Sequence, residues 1–277
     1  MRRLGLLAAL ATLALLQGCS AIRLAYSNAD TLIRWQANSY FDFHNSASEE
    51  LDRRIAAFVG WHRAAALPQY AKIAGEAAAR LERGLTGADL DWFYATLETQ
   101  AREGLRAGAV EAAPLLDRLE PAQLKHFEQR LRDENRKFER ENLRGGPAER
   151  RQRRLKQSIE RLEEWFGALT EEQLALVRRY NDSAPMVNEM RDRDRRRRQA
   201  ELVAMLRARE ARKRLADWAV AWDRDREPAY AAAFRDWRAA NAGMLAALDK
   251  TLTAEQRRAA AARLRGFAAD FEQLQRR

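Results

Sequence analysis

The sequence contains few of the residues that would support a disulfide-stabilised or metal-binding fold. Its 277 residues include one cysteine, Cys19, and three histidines, His44, His62 and His126. One cysteine cannot form a disulfide within the chain, so stability must come from packing. The histidines are scattered, whereas common metal sites use histidines or acids at paired spacings such as i and i+4. We therefore expect no disulfide, no metal and no cofactor.

Glycine and proline are also scarce, with 13 and 6 residues respectively. Neither a glycine-rich phosphate loop nor a Gly-x-Ser-x-Gly nucleophile elbow occurs. Almost every carboxylate has an arginine three or four residues away, which is typical of a solvated helix face. No pattern identifies a catalytic residue, and we expect a protein that is not an enzyme.

The sequence also lacks the alternation of apolar and polar residues that marks a half-buried strand. Apolar residues instead recur at helical spacing along nearly the whole chain, whose composition is 47% hydrophobic and 32% charged. Ala, Leu, Arg and Glu dominate, and all four favour helices. We predict an all-α fold of about ten amphipathic helices, arranged as antiparallel hairpins in a bundle or a curved helical array.

Caps and helix breakers predict where the helices begin and end. One helix is predicted from about Asn28 to Phe43, and the next follows an apparent capping box at Ser46–Glu49. Pro68 is predicted to open a third helix, because proline is well suited to a first helical position. The longest helix is predicted to begin at Pro185 and to extend to Trp222.

One short phrase recurs at helix starts. It occurs at Leu85–Asp89, Leu169–Gln173 and Leu252–Gln256, with Leu119–Gln123 as a variant. The Thr hydroxyl is expected to cap a backbone N–H three residues later, and the Gln side chain to reach back. The phrase also resembles the Leu-Thr-x-x-Gln element of small helical periplasmic chaperones of the envelope stress response.

The first 19 residues have the organisation of a bacterial secretory signal. Arg2 and Arg3 precede an apolar run from Leu4 to Leu16. This run is shorter than the roughly 20 residues of a membrane-spanning helix. The ending Leu16-Gln17-Gly18-Cys19 resembles the lipobox of bacterial lipoproteins. The resemblance implies cleavage before Cys19 and acylation of Cys19, and ordinary secretion is the alternative.

The residue after the lipidated cysteine bears on the location of the protein. It is Ser20 and not Asp, which by the sorting rule of Gram-negative lipoproteins implies the outer membrane. The body would then face the periplasm, with the membrane as a partner through the anchor on Cys19. Three acyl chains, at about 0.8 kcal/mol per buried methylene, would make the attachment effectively permanent.

The chain divides at Gly145-Gly146-Pro147, because two glycines and a proline cannot continue a helix. We predict a signal peptide (1–18), a lipidated N-terminus with a short tether (19–27), an N-terminal helical half (28–144), a break (145–149) and a C-terminal helical half (150–277). One continuous domain over 28–277 is the alternative.

The predicted mature chain opens with a distinctive set of residues: the stretch Cys19–Leu32, then Trp35, Tyr40, Asp42 and Phe43, and then Trp61-His62-Arg63 with Leu67-Pro68-Gln69-Tyr70. This set is similar to the start of a family of uncharacterised bacterial all-helical lipoproteins. It supports the helical class and implies no particular activity.

Basic residues are concentrated in one segment. Without residues 1–18, which hold two arginines and no acid, the chain has 48 basic and 40 acidic side chains and a net charge of +8. Between Arg191 and Arg214, eleven basic residues accompany four acidic ones. The candidate contacts for an anionic partner are Arg193, Arg195, Arg196, Arg197 and Arg198. The alternative is an exposed helix whose charges only keep it soluble.

Arginine suits phosphate because its planar guanidinium can donate two parallel hydrogen bonds. Nucleic acid is not expected as the partner, because aromatic residues do not interleave with the arginines and the anchor places the chain in the envelope. The partners available there are envelope proteins and anionic lipid headgroups.

Two other groups of residues are weaker candidates. His62 and Arg63, beside Trp61, could form a polar site, although a structural histidine at a helix end is the alternative. Near the anchor, amphipathic aromatic residues could contact the membrane surface or fold onto the body. These residues are Trp35, Tyr40, Phe41 and Phe43.

Together these features predict an outer-membrane lipoprotein whose helical body acts as a non-catalytic binding, scaffold or chaperone-like module. The alternative function is contact with anionic lipid or lipopolysaccharide through the same arginines. A lesser alternative is an envelope enzyme in which His62 or a carboxylate pair meets a nucleophile from another helix.

Overall fold

A computed structural model describes residues 22–276. Besides a helical segment over residues 22–27, these residues contain eleven α-helices, two π-helical turns and no strand. The predicted all-α fold is therefore confirmed. The helices are α1 (Ala29–Phe41), α2 (Asn45–Trp61), α3 (Leu67–Arg83), α4 (Gly87–Leu116), α5 (Pro121–Phe138), α6 (Pro147–Phe166), α7 (Glu171–Ser183), α8 (Asn188–Arg207), α9 (Ala211–Val220), α10 (Pro228–Asp249) and α11 (Ala254–Gln275). The predicted signal peptide and Cys19 lie outside the described residues.

Helix α3 begins at Leu67, one residue before the predicted start at Pro68, but it follows α2 without a loop. The π turn His62–Ala66 joins them, and the N–H of Leu67 donates to the carbonyl of His62. Because proline lacks a backbone N–H, an ordinary α-helix that ran on through Pro68 would lose a hydrogen bond there. The wider π turn just before it lets the helix continue.

The helix predicted over Pro185–Trp222 is in fact two helices, α8 and α9. The chain turns at Arg209, whose φ of 55° is left-handed. The carboxylate of Asp117 accepts hydrogen bonds from the N–H groups of Ala211 and Arg212 at 2.5 and 3.1 Å. This cap comes from a residue distant in sequence, so local periodicity could not reveal the break.

The N-terminal helix limits also differ from the predicted ones. Helix α1 ends at Phe41, because Asp42 is left-handed with φ of 51°. Helix α2 begins at Asn45, and its N-cap residue, His44, makes no side-chain cap bond. The predicted capping box at Ser46–Glu49 was therefore wrong.

The recurring Leu-Thr phrase does form capping boxes. Thr86, Thr170 and Thr253 each accept a hydrogen bond from the backbone N–H three residues later. Gln173 and Gln256 reach back to the backbone N–H of Thr170 and Thr253, as predicted, at 3.0 and 3.1 Å.

Three apolar clusters hold the described helices together. The largest includes Phe43, Leu51 and Phe127 together with Met205 and Leu215, and so joins residues from both sides of the Gly145 break. A second cluster lies among α6, α7 and α10. A third joins Ala78 and Leu81 of α3 to Ala260 and Ala261 of α11.

The described part of the predicted tether is helical over residues 22–27 and contacts the body. Arg23 pairs with Asp270 at 3.2 Å and donates to Gln273 at 2.7 Å. The hydroxyl of Tyr26 lies 3.1 Å from Nδ1 of His62. The two ends of the described chain therefore meet beside the π turn.

Candidate ligand-binding cleft

Arg198 connects α8 to α9 through contacts within the protein. Its guanidinium donates to the carbonyls of Trp218 and Ala221 at 3.1 and 3.0 Å and lies 4.2 Å from the centroid of the Trp218 ring. The last carbonyls of a helix lack partners within it, so Arg198 supplies donors at the end of α9. Burial lowers the pKa of Arg198.

Arg195 and Arg197 also bind groups of the protein itself. Arg195 donates to Oδ1 of Asn135 at 2.6 Å and lies 4.4 Å from the ring centroid of Phe138. Arg197 pairs with Asp194 at 2.8 Å and with Glu201 at 2.5 Å. Neither guanidinium is available for a partner without losing these contacts.

The remaining two arginines of this group are more exposed. Arg196 pairs with Asp192 at 2.7 Å and with Glu139 at 2.5 Å. Arg193 pairs with Glu227 at 3.1 Å, and both of these side chains are more than half exposed. The structure thus places the five predicted contact arginines around α8, each bound to other groups of the protein. Arg197 and Arg198 line a second cleft of about 450 Å³ with Lys213, Arg214 and Arg224, whereas Arg193, Arg195 and Arg196 do not.

His62 and Arg63 lie in the π turn between α2 and α3. The rings of Tyr70 and Phe58 pack against His62 at centroid distances of 5.4 and 6.0 Å. Burial lowers the pKa of His62. With its hydrogen bond to Tyr26, this environment is that of a structural histidine that holds residues 22–27 to the body.

The aromatic residues near the N-terminus divide into two groups. Phe43 is buried in the largest cluster, and Tyr40 and Phe41 pack against it. Trp35, in contrast, is 68% exposed.

A cleft of about 530 Å³ opens between α6, α7, the start of α8 and α10. None of the contact residues predicted from the sequence lines this cleft. Its basic side chains are Arg150, Arg153, Arg154, Arg161, Arg191 and Arg226, while its one lining carboxylate is Glu141. The cleft is therefore strongly cationic.

Helix α6 supplies four of these arginines because of their spacing. Arg150, Arg154 and Arg161 follow one another at intervals of four and seven residues, which keeps them on one side of a helix. Gln157 lies between them on the same side and also lines the cleft. This stripe, interrupted by no acid on that side, is the sequence signal that could have revealed the site.

Two of the arginines are fixed in place by the protein. Arg154 donates to Oδ1 of Asn181 at 3.0 Å and to the carbonyls of Ala184 and Pro185 at 3.1 and 2.9 Å. Burial lowers its pKa. Arg150 pairs with Glu189 at 2.6 Å, and its buried Nε has no hydrogen-bond partner among residues 22–276.

Arg226 lies over two aromatic rings that line the cleft. Its guanidinium is 5.1 Å from the ring centroid of Tyr230 and 5.0 Å from that of Phe234, in cation–π geometry. Its nearest ion-pair partner, Asp194, is 4.0 Å away. The Nε of Arg226 is also buried and has no hydrogen-bond partner within the described chain.

The two outer arginines carry the least compensated charge. Arg161 and Arg191 are exposed at the cleft, and neither forms an ion pair with any residue between 22 and 276. The carboxylates of Glu189 and Asp194 pair with Arg150 and Arg226 but do not line the cleft. Even if both are counted with Glu141, the six arginines of the cleft outnumber the acids. An anion in the cleft would therefore meet a net positive charge.

The floor of the cleft is apolar. It consists of Leu162, Tyr180, Tyr230, Phe234, Trp237, Met244 and Leu245. Cations above an aromatic and aliphatic floor can bind a ligand that has an anionic end and an apolar part.

The described residues contain neither a metal-binding cluster nor a membrane-spanning helix. No group of three or more His, Cys, Asp or Glu side chains in residues 22–276 is arranged to hold a metal ion. None of the helices described is both long and apolar enough to cross a membrane.

Comparison with known proteins places the chain in one family. A family model described as "Family of unknown function (DUF6279)" matches residues 39–224, about two thirds of the chain. Neither the curated proteins nor the solved structures contained a match.

Proposed function

The chain belongs to the DUF6279 family of unknown function, and we propose that it is a non-catalytic binding protein whose cleft holds an anionic amphiphile. In this proposal, Cys19 carries a lipid anchor, Ser20 directs the protein to the outer membrane, and the body faces the periplasm. The ligand has a phosphate or carboxylate group at the arginines and an apolar part on the aromatic floor.

One observation carries the proposal: six guanidinium groups and a single carboxylate surround an apolar floor. Guanidinium groups bind phosphate and carboxylate oxygens through paired hydrogen bonds. These hydrogen bonds are stronger where solvent is partly excluded, as it is beside buried aromatic rings. Anionic lipids combine a charged headgroup with apolar chains.

The scaffold or chaperone-like role expected from the sequence has less support. That hypothesis relies on Arg193, Arg195, Arg196, Arg197 and Arg198 being available to a partner protein. Arg195, Arg197 and Arg198 are bound to side chains or carbonyls of α5, α8 or α9. The more exposed Arg193 and Arg196 are paired with Glu227, Asp192 and Glu139. Binding in the cleft uses a different set of arginines.

The proposal is tested by titrating the purified protein with dodecyl phosphate below its micelle concentration, using calorimetry. We expect saturable binding that weakens as salt concentration rises, since charge attracts the headgroup. Inorganic phosphate and a neutral detergent with the same chain should each bind at least about tenfold more weakly, because each lacks one half of the ligand.

The matched variants separate the cleft from general basicity. Arg161→Gln combined with Arg191→Gln should weaken dodecyl phosphate binding at least about tenfold. Arg151→Gln removes an exposed arginine of α6 that does not line the cleft, and should leave binding unchanged. Equal effects of both changes, or equal binding of the neutral detergent, would contradict the proposal.

A further inference from the structure

Three large apolar side chains near the N-terminus face solvent. Leu24, Leu32 and Trp35 are 68%, 51% and 68% exposed. At about 3.6 residues per turn, Leu32 and Trp35, three residues apart, lie on one side of α1. Leu24 lies in the preceding helical segment, and a turn at Asn28, with φ of −114° and ψ of 19°, separates that segment from α1. The three exposed side chains are together called the stripe.

This stripe is separate from the face of α1 that packs on the body. Ile33, Ala37, Tyr40 and Phe41 pack against the largest apolar cluster. Helix α1 therefore has an inner apolar face that the fold covers and an outer one that it leaves open. Single exposed apolar residues are normal, but three large ones close together in the chain, one of them a tryptophan, are typical of an interaction surface.

We propose that the stripe of Leu24, Leu32 and Trp35 lies in the headgroup region of a phospholipid bilayer, parallel to its surface. The inference rests on the proposed lipid anchor. Leu24 is five residues after Cys19, so even an extended chain would keep it within about 18 Å of the acylated residue.

The composition of the stripe favours the interface over the interior of the bilayer. Tryptophan is enriched at membrane–water interfaces, where its ring is partly apolar and its N–H can remain hydrated. Asn28 and Thr31 lie between the apolar residues and are exposed, which limits the depth of insertion. The lipid anchor attaches the chain to the membrane, and the stripe would also orient the body relative to it. This follows because residues 22–27 are held to the body through His62 and Asp270.

The test is the quenching of tryptophan fluorescence by brominated phospholipids in zwitterionic vesicles that carry the native protein. Trp35 is one of seven tryptophans, so native protein is compared with Trp35→Phe and with Trp165→Phe. We expect shallow bromines to quench native emission more than deep ones do. Trp35→Phe should remove most of the quenchable emission, and Trp165→Phe should leave it in place.

Equal quenching in the two variants, or none in the native protein, would overturn the inference. A crosslink between two copies through position 35 would do so as well, since the stripe would then be a protein interface. Mass spectrometry shows whether Cys19 of the purified protein is acylated. If it is not, the protein is mixed with excess vesicles, and quenching is again compared between native protein, Trp35→Phe and Trp165→Phe. Dodecyl phosphate binding needs no membrane, so failure of the stripe and failure of the cleft are distinguishable.

Discussion

The side chains of Gln173 and Gln256 exchange two hydrogen bonds in the interior of the protein. Nε2 of Gln173 donates to Oε1 of Gln256 at 2.8 Å, and the reverse bond measures 3.1 Å. Each carboxamide also accepts from the N-cap threonine of its own helix, at Thr170 or Thr253. The starts of α7 and α11, 83 residues apart, are thereby joined into one polar unit.

Loss of one glutamine should leave the other without its partner. Gln173 is fully buried, so Gln173→Leu should lower the free energy of unfolding by about 1–3 kcal/mol. Urea denaturation measures the change. The double variant Gln173→Leu with Gln256→Leu should lose less than the two single variants together, because the pair acts as a unit.

The exposed Gln152→Leu change on α6 is the control for this pair, and should alter stability by less than about 0.5 kcal/mol. Strict additivity of the two buried changes would show that the reciprocal bonds contribute no coupling.

Asp117 should determine the stability of α9. Asp117→Ala removes the acceptor for the N–H groups of Ala211 and Arg212. Loss of such a cap costs about 0.5–2 kcal/mol, which thermal unfolding followed by circular dichroism would detect. Asp117→Asn keeps one acceptor oxygen and should recover part of the loss. A variant with unchanged melting temperature would refute this role of the carboxylate.

Asp89 should make stability depend on pH in the acid range. Hydrogen bonds from Arg83, then from Thr86 and Arg80, hold its pKa well below the usual range. Because the folded state favours the ionised form, the contribution is present above the ordinary pKa of about 3.9 and is lost as pH falls below it. Asp89→Asn should therefore lower the melting temperature clearly at pH 7 and by less at pH 3.

The control for Asp89 is Asp91→Asn, since Asp91 is an exposed carboxylate two residues along the same helix. Its melting temperature should follow that of native protein at every pH. If the gap between native protein and Asp89→Asn were the same at pH 7 and pH 3, the ionised carboxylate would not be the cause.

His62 should weaken the fold in mildly acidic solution. Burial lowers its pKa in the folded state, so the unfolded chain binds the proton more readily. Stability therefore falls as pH drops through the ordinary histidine pKa of about 6.5. His62→Gln should reduce the loss of melting temperature between pH 7.5 and 5.5, while His126→Gln, an exposed position, should not. An unchanged loss in His62→Gln would refute the assignment.

Two helix limits depend on structure that apolar periodicity does not contain. The break at Arg209 depends on Asp117, more than 90 residues earlier, and the continuous path from α2 into α3 depends on a π turn. The capping boxes at Thr86, Thr170 and Thr253 were predicted correctly because each involves residues only three apart. The box at Ser46–Glu49 has the same spacing but was wrong, because α2 already begins at Asn45 with His44 as its N-cap residue.

The sequence by itself determined the helical class, most helix starts and the basic stripe on α6, because these depend on spacings of three to seven residues. Only the tertiary structure decided which arginines are used within the fold and which surround a cleft. No sequence pattern distinguishes the roles of Arg198 and Arg226. In the structure, Arg198 binds carbonyls at the end of α9, whereas Arg226 lies over the rings of Tyr230 and Phe234. The physical reason is that a guanidinium takes the acceptors that packing brings within reach, and packing joins residues far apart in the chain.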